Sequence, residues 1–300
     1  MLQDIEQYGS EKCRGPIDPC FVGDGSWARA YKTCGKKECY LLKIKKTKRT
    51  FDINEYKINE LAYKKLIAKK FALIAQPRGV FGYAHDPLAF VYLFEEGSIT
   101  LDKFLETYDF DESELKSILF QAALCLYYLQ KGVPGFCHND LHTDNILVIP
   151  QTKTYSYGSV KIKCKYTVRL IDFGQSTTIQ HQTKLGKQLW NKTSGNTMVD
   201  FLRLCNWILL TLYKLIRFDT IPKIKSIITN FLELLSGYVS KDCIRNGGRA
   251  RKASSKTGKY LSVPYLTLNR DGESYINSIY SSDKPNAMNL ILKDKYFTIK

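Results

Sequence analysis

No stretch of this 300-residue chain is both apolar enough and long enough to span a bilayer. The strongest candidate, residues 207–216 (WILLTLYKLI), is short and carries Lys214, whereas a spanning helix needs about 20 apolar residues. No secretory leader is expected, because residues 1–10 (MLQDIEQYGS) put charges where an apolar run is required. Acidic residues are scarce beside basic ones: 29 Asp+Glu against 45 Lys+Arg leave a net charge of +16. That balance favours polyanionic partners such as nucleotides, nucleic acid or acidic proteins, and membrane association is not expected. The nine cysteines are odd in number and irregular in spacing, so no disulfide framework is expected. Reduced thiols inside a cell are the expectation. For Cys34 and Cys39, two cysteines flanking a hairpin turn are favoured over a metal pair, since no second pair accompanies them. Global disorder is excluded by 44% apolar and 13% aromatic residues, enough for a sizeable core.

The first third reads as strands with one helix. A short apolar run at 20–22 leads into a glycine turn. Residues 28–33 (ARAYKT) and 39–44 (CYLLKI) flank Gly35-Lys36-Lys37-Glu38, a hairpin connection. Residues 52–70 space Ile58, Leu61, Ala62, Leu66 and Ile67 as an amphipathic helix, and 88–94 (LAFVYLF) suits a buried strand. Glu95-Glu96-Gly97-Ser98 breaks that run, and a boundary is expected there, giving units 1–96 and 97–300. Residues 111–130 put Leu115, Ile118, Leu119, Ala122, Leu126 and Leu129 on one helical face, capped by Asp111 or Ser113. Residues 199–218 form a second apolar helix. Residues 246–259 (NGGRARKASSKTGK) read as a basic surface loop. No internal repeat is visible.

Chemistry concentrates at 136–148, FCHNDLHTDNILV, where Asp140 and Asn145 lie five residues apart. After a strand-like insertion comes 168–174, VRLIDFG, with Asp172 just past a second apolar strand. Phosphoryl transfer to an alcohol needs a carboxylate to orient the hydroxyl and take its proton. It also needs hard oxygens, a carboxylate and an amide, to hold magnesium against the phosphates. Asp140, Asn145 and Asp172 supply that set.

Residues 138–145 resemble the catalytic loop H-R-D-L-x-x-x-N of the protein-kinase superfamily, and Asp172-Phe173-Gly174 is a full D-F-G. The resemblance implies an α+β fold with two lobes: a small β-rich N-lobe and a larger helical C-lobe. It implies Asp140 as catalytic base, Asn145 as magnesium ligand, Asp172 as the magnesium ligand at the outer phosphates, and ATP with Mg2+ as cofactors. Residues 23–31 (GDGSWARAY) resemble the glycine-rich loop, with Gly23 and Gly25 letting the backbone approach phosphates and Ala28 standing for the third glycine. Asp24 is expected to point outward. Lys43, 18 residues after Gly25, matches the phosphate-neutralising lysine, with Lys45, Lys46 and Lys48 as neighbouring alternatives. Its glutamate partner is taken as Glu60 rather than Glu55, from the family's usual spacing. The run into Glu95 resembles the adenine-contacting hinge and 101–105 (LDKFL) the helix after it. Asp200 resembles the buried aspartate that braces the catalytic loop, with a simple N-cap as the equal alternative.

The pattern departs from the family in three places. Asn139 replaces the arginine that usually meets an activation-loop phosphate, so switching by that phosphate is not expected. His142 stands where a lysine often touches the transferred phosphate, an arrangement resembling haspin-like kinases, kinases of large DNA viruses and small-molecule kinases. The 27 residues between Asp172 and Asp200 hold no A-P-E, and the 26 residues between Asn145 and Asp172 call for an extra hairpin. The resemblance implies a serine/threonine protein kinase acting on a protein substrate in a host cell's cytoplasm or nucleus, or in a virion. The alternatives are an aminoglycoside- or choline-type kinase and an inactive scaffold. Weak polyanion or nucleic-acid association through Arg245, Arg249, Arg251, Lys252, Lys256 and Lys259 is set against a plain solvated loop. Ser176, Thr177 and Thr178 are open to autophosphorylation.

Overall fold

The computed structural model describes residues 20–25, 28–46, 52–83, 86–107, 110–187, 197–216, 222–236, 244–248, 263–266 and 284–297. Five strands open it: β1 (Cys20–Asp24), β2 (Ala28–Cys34), β3 (Cys39–Lys45), β4 (Pro77–Tyr83) and β5 (Asp86–Leu93). They form one antiparallel sheet in the order β1-β2-β3-β5-β4. β4 escapes a pattern search because its sequence, PRGVFGY, mixes proline and glycine into the strand and lacks alternation. The β2–β3 hairpin sets Cys34 directly opposite Cys39, with Cα atoms 3.9 Å apart, and the two form a disulfide. Cys20 is also disulfide-bonded. The hairpin placement of the pair holds, while the expectations of reduced thiols and of no disulfide framework do not extend to these positions. The sulfurs bond each other, which removes the metal alternative. Cys125, Cys137, Cys164 and Cys205 are buried and not disulfide-bonded.

Helix α1 (Ile53–Ile67) crosses the sheet, capped by Asp52, whose carboxylate accepts from the Asn54 amide. Ile58, Ala62 and Leu66 face the core, while Ile67 is exposed. After a short β6 (Ile99–Thr100), α2 (Leu101–Glu106) and α3 (Glu112–Gly132) begin a helical region. Asp111, not Ser113, caps α3. Its carboxylate takes the Glu114 amide at 2.8 Å, and the Glu114 side chain takes the Asp111 amide at 2.8 Å, a reciprocal capping box. Leu115, Ile118, Leu119, Ala122, Leu126 and Leu129 are all fully buried, as the spacing implied.

Strands β7 (Ile146–Ile149) and β10 (Thr167–Leu170) join β6 in a second sheet, order β10-β7-β6. Between them stands the extra hairpin, β8 (Lys153–Tyr157) with β9 (Val160–Cys164). The strand-like stretch 160–167 is therefore two elements, since Val160–Cys164 pairs within the insertion and Thr167 onward pairs with β7. Tyr155, Ile162 and Cys164 anchor the hairpin in the core, and Lys161 and Lys163 face outward. Helices α4 (Thr197–Ile216), α5 (Pro222–Ser236) and α6 (Lys284–Leu292) complete the region, with Met288, Ile291, Leu292 and Phe297 in the same core as α3. Strand β11 (Ile244–Gly248) overlaps the start of the expected basic loop and pairs with β12 (Val263–Leu266), which follows that loop, and Arg245 lies in β11. Arg249, Arg251, Lys252, Lys256 and Lys259 lie outside the described residues. No helix among the described residues is long and apolar enough to cross a membrane.

Replacing Asp111 by Ala removes the carboxylate that accepts the Glu114 amide, the side-chain half of the capping box on the central helix. The expected loss is about 1 kcal/mol of stability, read as a lower denaturant midpoint with an unchanged slope.

Candidate active site

The loop at 136–145 follows α3 and runs into β7, and the buried Leu129 and Val133 on one side and Ile146 and Val148 on the other hold its ends in the core. One carboxylate organises it. Asp200, the fourth residue of α4 and fully buried, accepts the backbone amides of His138 at 2.7 Å and Asn139 at 2.8 Å, and the Cys137 thiol at 3.3 Å. Its position inside the helix excludes the N-cap reading. Asn139 sits at φ 65°, a left-handed conformation that asparagine tolerates better than most residues. The His138 Nε2 lies 3.0 Å from the Ile171 carbonyl, which can only accept, so Nε2 carries the proton. Burial lowers this imidazole's pKa and outweighs the neighbouring Asp200 charge, keeping the ring neutral.

Asp140 and Asn145 face the same space. One amide hydrogen of Asn145 goes to the Asp140 carbonyl at 2.7 Å and the other points at His142 Nε2, 3.0 Å away. The amide oxygen is left as a ligand atom. Asp140 is pushed above its ordinary carboxylate pKa chiefly by burial, partly offset by the His142 and His138 rings. His142 Nε2 stands 4.0 Å from the Asp140 carboxylate, and the ring lies against the exposed Trp207 of α4 at 5.7 Å.

Past β10, the Ile171 amide bonds the Asn145 carbonyl at 3.0 Å, which ties the two motifs together. Asp172 adopts φ 61° and folds its carboxylate back onto the Gly174 amide at 3.2 Å. Phe173 is fully buried, 5.1 Å from the His138 ring and 6.3 Å from Phe136.

Lys43 of β3 reaches Asp172 at 2.6 Å and Glu55 of α1 at 2.7 Å. Burial alone would lower its pKa, but the Asp172 and Glu55 charges outweigh that and hold the ammonium well above its usual value. Burial alone would likewise raise the Asp172 pKa, and Lys43 overrides it, keeping this carboxyl well below the usual range. The expected partner Glu60 is corrected to Glu55. Glu60 lies on the outer face of α1, where it pairs with Lys64 at 3.1 Å and is 42% exposed, whereas Glu55 is 1% exposed. Sequence did carry the signal: the buried stripe Leu66, Ala62, Ile58, followed back by three or four residues, reaches Glu55 and misses Glu60.

A family model, Protein kinase domain, matches residues 20–197. The chain belongs to the protein kinase domain family. A relative named Probable kinase 098L, from Invertebrate iridescent virus 3, is 35% identical over 92 residues. That match covers 29% of this chain and 18% of the relative, so the chain spans less than a fifth of that protein. The bilobal α+β architecture is thus a kinase domain, with its β-rich part first and its helical part after.

Within that kinase framework the structure adds two residues to the cluster: Lys45, named in the sequence only as an alternative to Lys43, and Tyr92, which motif reading missed. Lys45 is itself buried and gives Glu55 a second ammonium at 2.8 Å. Tyr92 of β5 is buried beside Lys43, Glu55 and Asp172, and its phenol pKa is pushed well up by burial first and by the Glu55 charge next. Both lie at alternate strand positions pointing to one face, the pattern that marks Lys43. The donor set suits magnesium, which prefers hard oxygens and completes its shell with phosphate and water. Asp172 and Asn145 are the residues that would hold it, and Lys43 would neutralise ATP phosphates.

The glycine turn and the hinge are less committed. Gly25 closes the β1–β2 turn on the Ala28 carbonyl at 2.9 Å, and a Cβ at Gly23 would meet nothing within 4 Å, leaving open space above the strand. Ser26 and Trp27 lie outside the described residues. Asp24 is half-exposed, with Lys46 at 2.7 Å and Arg29 at 3.8 Å beside it. Glu95 turns its side chain into an ion pair with the buried Arg169, and its carbonyl accepts the Ser98 amide. A direct side-chain role for Glu95 toward a nucleotide is therefore not supported.

Residues after the D-F-G also depart from expectation. Ser176, Thr177 and Thr178 are buried and engaged: Ser176 donates to the His138 carbonyl, Thr178 to the His181 carbonyl, and Thr177 pairs its backbone with Cys137. Autophosphorylation at these hydroxyls is not accommodated in this arrangement. Gly186 packs so closely that a Cβ would lie 2.6 Å from the Gln175 and Ser176 carbonyls.

Glu55→Gln leaves the buried Lys45 without its ion-pair partner and Lys43 with Asp172 alone, and is expected to cost about 3 kcal/mol. Glu60→Gln removes only an exposed helical pair and is expected to cost less than about 0.5 kcal/mol. Paired urea unfolding curves of the two variants check the assignment, and equal midpoints would reverse it. Gly186→Ala is expected to lower the thermal midpoint, because backbone carbonyls rather than a movable side chain meet the new methyl.

Proposed function

We propose that the chain is an ATP- and magnesium-dependent serine/threonine protein kinase. The observation that carries this reading is the Lys43 ammonium held between Glu55 and Asp172, 2.7 and 2.6 Å away, in front of Asp140 and Asn145. A lysine kept charged beside one fixed carboxylate and one metal-ligating carboxylate is what phosphate neutralisation requires. Glu55 holds Lys43, which would contact the inner phosphates of a bound ATP, and Asn145 and Asp172 are the residues that would hold magnesium, whose charge would offset that of the phosphates. Asp140 orients the acceptor hydroxyl and takes its proton as the new O–P bond forms and the bond to the leaving diphosphate breaks. Its raised pKa supports that task, since a more basic carboxylate is the better proton acceptor. His142 hydrogen-bonds Asn145 and keeps it in register with Asp140. The nucleotide is placed between an N-lobe of 1–96 and a C-lobe of 97–300, where Gly97 turns the chain at φ 72°.

A protein acceptor is favoured over a small cation because the chain carries a net charge of +16 and small-molecule sites for amines are acidic. A small-molecule acceptor is the second reading, and the missing A-P-E before Asp200 is the observation that favours it.

Purified protein and its Asp140→Asn variant, incubated with labelled ATP, magnesium and a mixture of acidic and basic model proteins, test the reading. Label on serine or threonine with the parent, and at least a hundredfold less with the variant, is the expected result. Label appearing on aminoglycosides or choline and on no protein would move the acceptor class, and equal transfer by both proteins would remove Asp140 from its role.

A further inference from the structure

We infer that Asp52 is a positioning residue that clamps helix α1 to the segment after the D-F-G, doing with a built-in carboxylate what an acquired phosphate does in switched kinases. The inference rests on the kinase reading above. Asp52 uses both carboxylate oxygens. One accepts the Asn54 amide at 3.0 Å and caps α1; the other accepts the Lys184 amide at 2.6 Å, across 132 residues of chain. Two residues on, the Asn54 side chain donates to the Gln182 carbonyl at 3.0 Å. The N-cap residue and the second residue of α1, two apart in sequence, therefore grip two positions of the segment that are also two apart, and Glu55 is the next residue of the helix.

The other side of the segment is fixed as well. The Asn139 side chain, standing where the resemblance expects arginine, donates to the Gln175 carbonyl at 3.0 Å and reaches the Thr177 hydroxyl at 3.4 Å. Thr177 and Cys137 exchange backbone bonds at 3.0 Å each. A short helical turn at 184–187 starts where Asp52 binds, with the Thr183 hydroxyl accepting the Gly186 amide. The segment thus bridges the catalytic loop and α1 through neutral groups and one carboxylate, while the hydroxyls at 176–178 are buried. A negative charge facing a free amide at the start of a helical turn is favourable on both the cap and the dipole side. Glu55 owes its place over Lys43 to this grip in addition to its own ion pairs.

Asp52→Asn is the informative variant. Asparagine caps helices as well as aspartate, but it has one acceptor oxygen where the Asn54 and Lys184 amides need one each. Hydrogen exchange, thermal unfolding and steady-state kinetics of the full chain are measured together. The expected result is exchange at least tenfold faster over 182–187 and over the first turns of α1, with kcat reduced about tenfold and the unfolding midpoint nearly kept. Asn54→Ala removes the Gln182 link without touching the cap and is expected to give a smaller change of the same kind, so it carries the test should Asp52→Asn fail to fold. Parent-like exchange at 182–187 in both variants overturns the clamp. Faster exchange there with α1 and kcat unchanged overturns the positioning role. If no variant and no parent transfers phosphate, the kinase reading fails, and the exchange of α1 alone decides the clamp.

Discussion

A single ammonium joins the three parts of the molecule that matter for its chemistry. Lys43 comes from the sheet, Glu55 from α1 and Asp172 from the turn after β10, and without the two carboxylates Lys43 would be a largely buried charge with no ion-pair partner. Burying a charge without a partner costs several kcal/mol per ion, and pairing recovers that cost only when geometry is good. The cluster therefore does little for net stability and much for uniqueness. If α1 shifts by a turn, Glu55 leaves two ammoniums behind, Lys43 and Lys45. If the turn at Asp172 relaxes, Lys43 loses its second partner. The arrangement has few neighbours of similar energy, which is what pre-organisation for phosphate demands.

Around that cluster, the backbone is bent into two sparsely populated conformations, and each is over-determined. Asn139 is left-handed because Asp200 takes its amide and the amide before it, and because Gln175 and Thr177 hold its side chain. Asp172 is left-handed while Gly174 and Lys43 share one of its oxygens. Non-glycine residues in this region cost of order 1–3 kcal/mol and persist where surroundings fix them. Both outliers fall in the two motifs, next to Asp140 and at the D-F-G, so the strain is concentrated where the reacting groups must be aimed.

Much of this was legible in the chain before folding. The periodicity of 111–130 located α3 because its burial is nearly complete and its cap is a side chain three residues from a glutamate. The catalytic loop and D-F-G were legible because their spacing is set by chemistry. What sequence hid has physical reasons. Glu60 was chosen by counting from Lys43, and counting ignores which face of a helix turns inward; the apolar stripe pointed to Glu55. Asp52 was only the first residue of the amphipathic stretch, since only the fold brings Lys184 across to its second oxygen. β4 is a strand by virtue of its neighbour β5, not its own residues. The disulfide between Cys34 and Cys39 depends on the register of the β2–β3 hairpin, which a turn of Gly-Lys-Lys-Glu leaves open.

The replacement of arginine by Asn139 has the widest consequence. An arginine at that position is a long cation that needs an anion to settle it, so the segment opposite stays free until one is added. Asparagine is short and neutral, and its amide is met by a backbone carbonyl that is always present. The same logic holds at the far end of the segment, where the acceptor is Asp52, a charge encoded in the chain. Neutral and built-in partners cannot be removed by a phosphatase or withheld by a missing upstream enzyme. The contacts that hold this segment against α1 and the catalytic loop therefore use groups the sequence itself encodes and call for no added phosphate at Asn139.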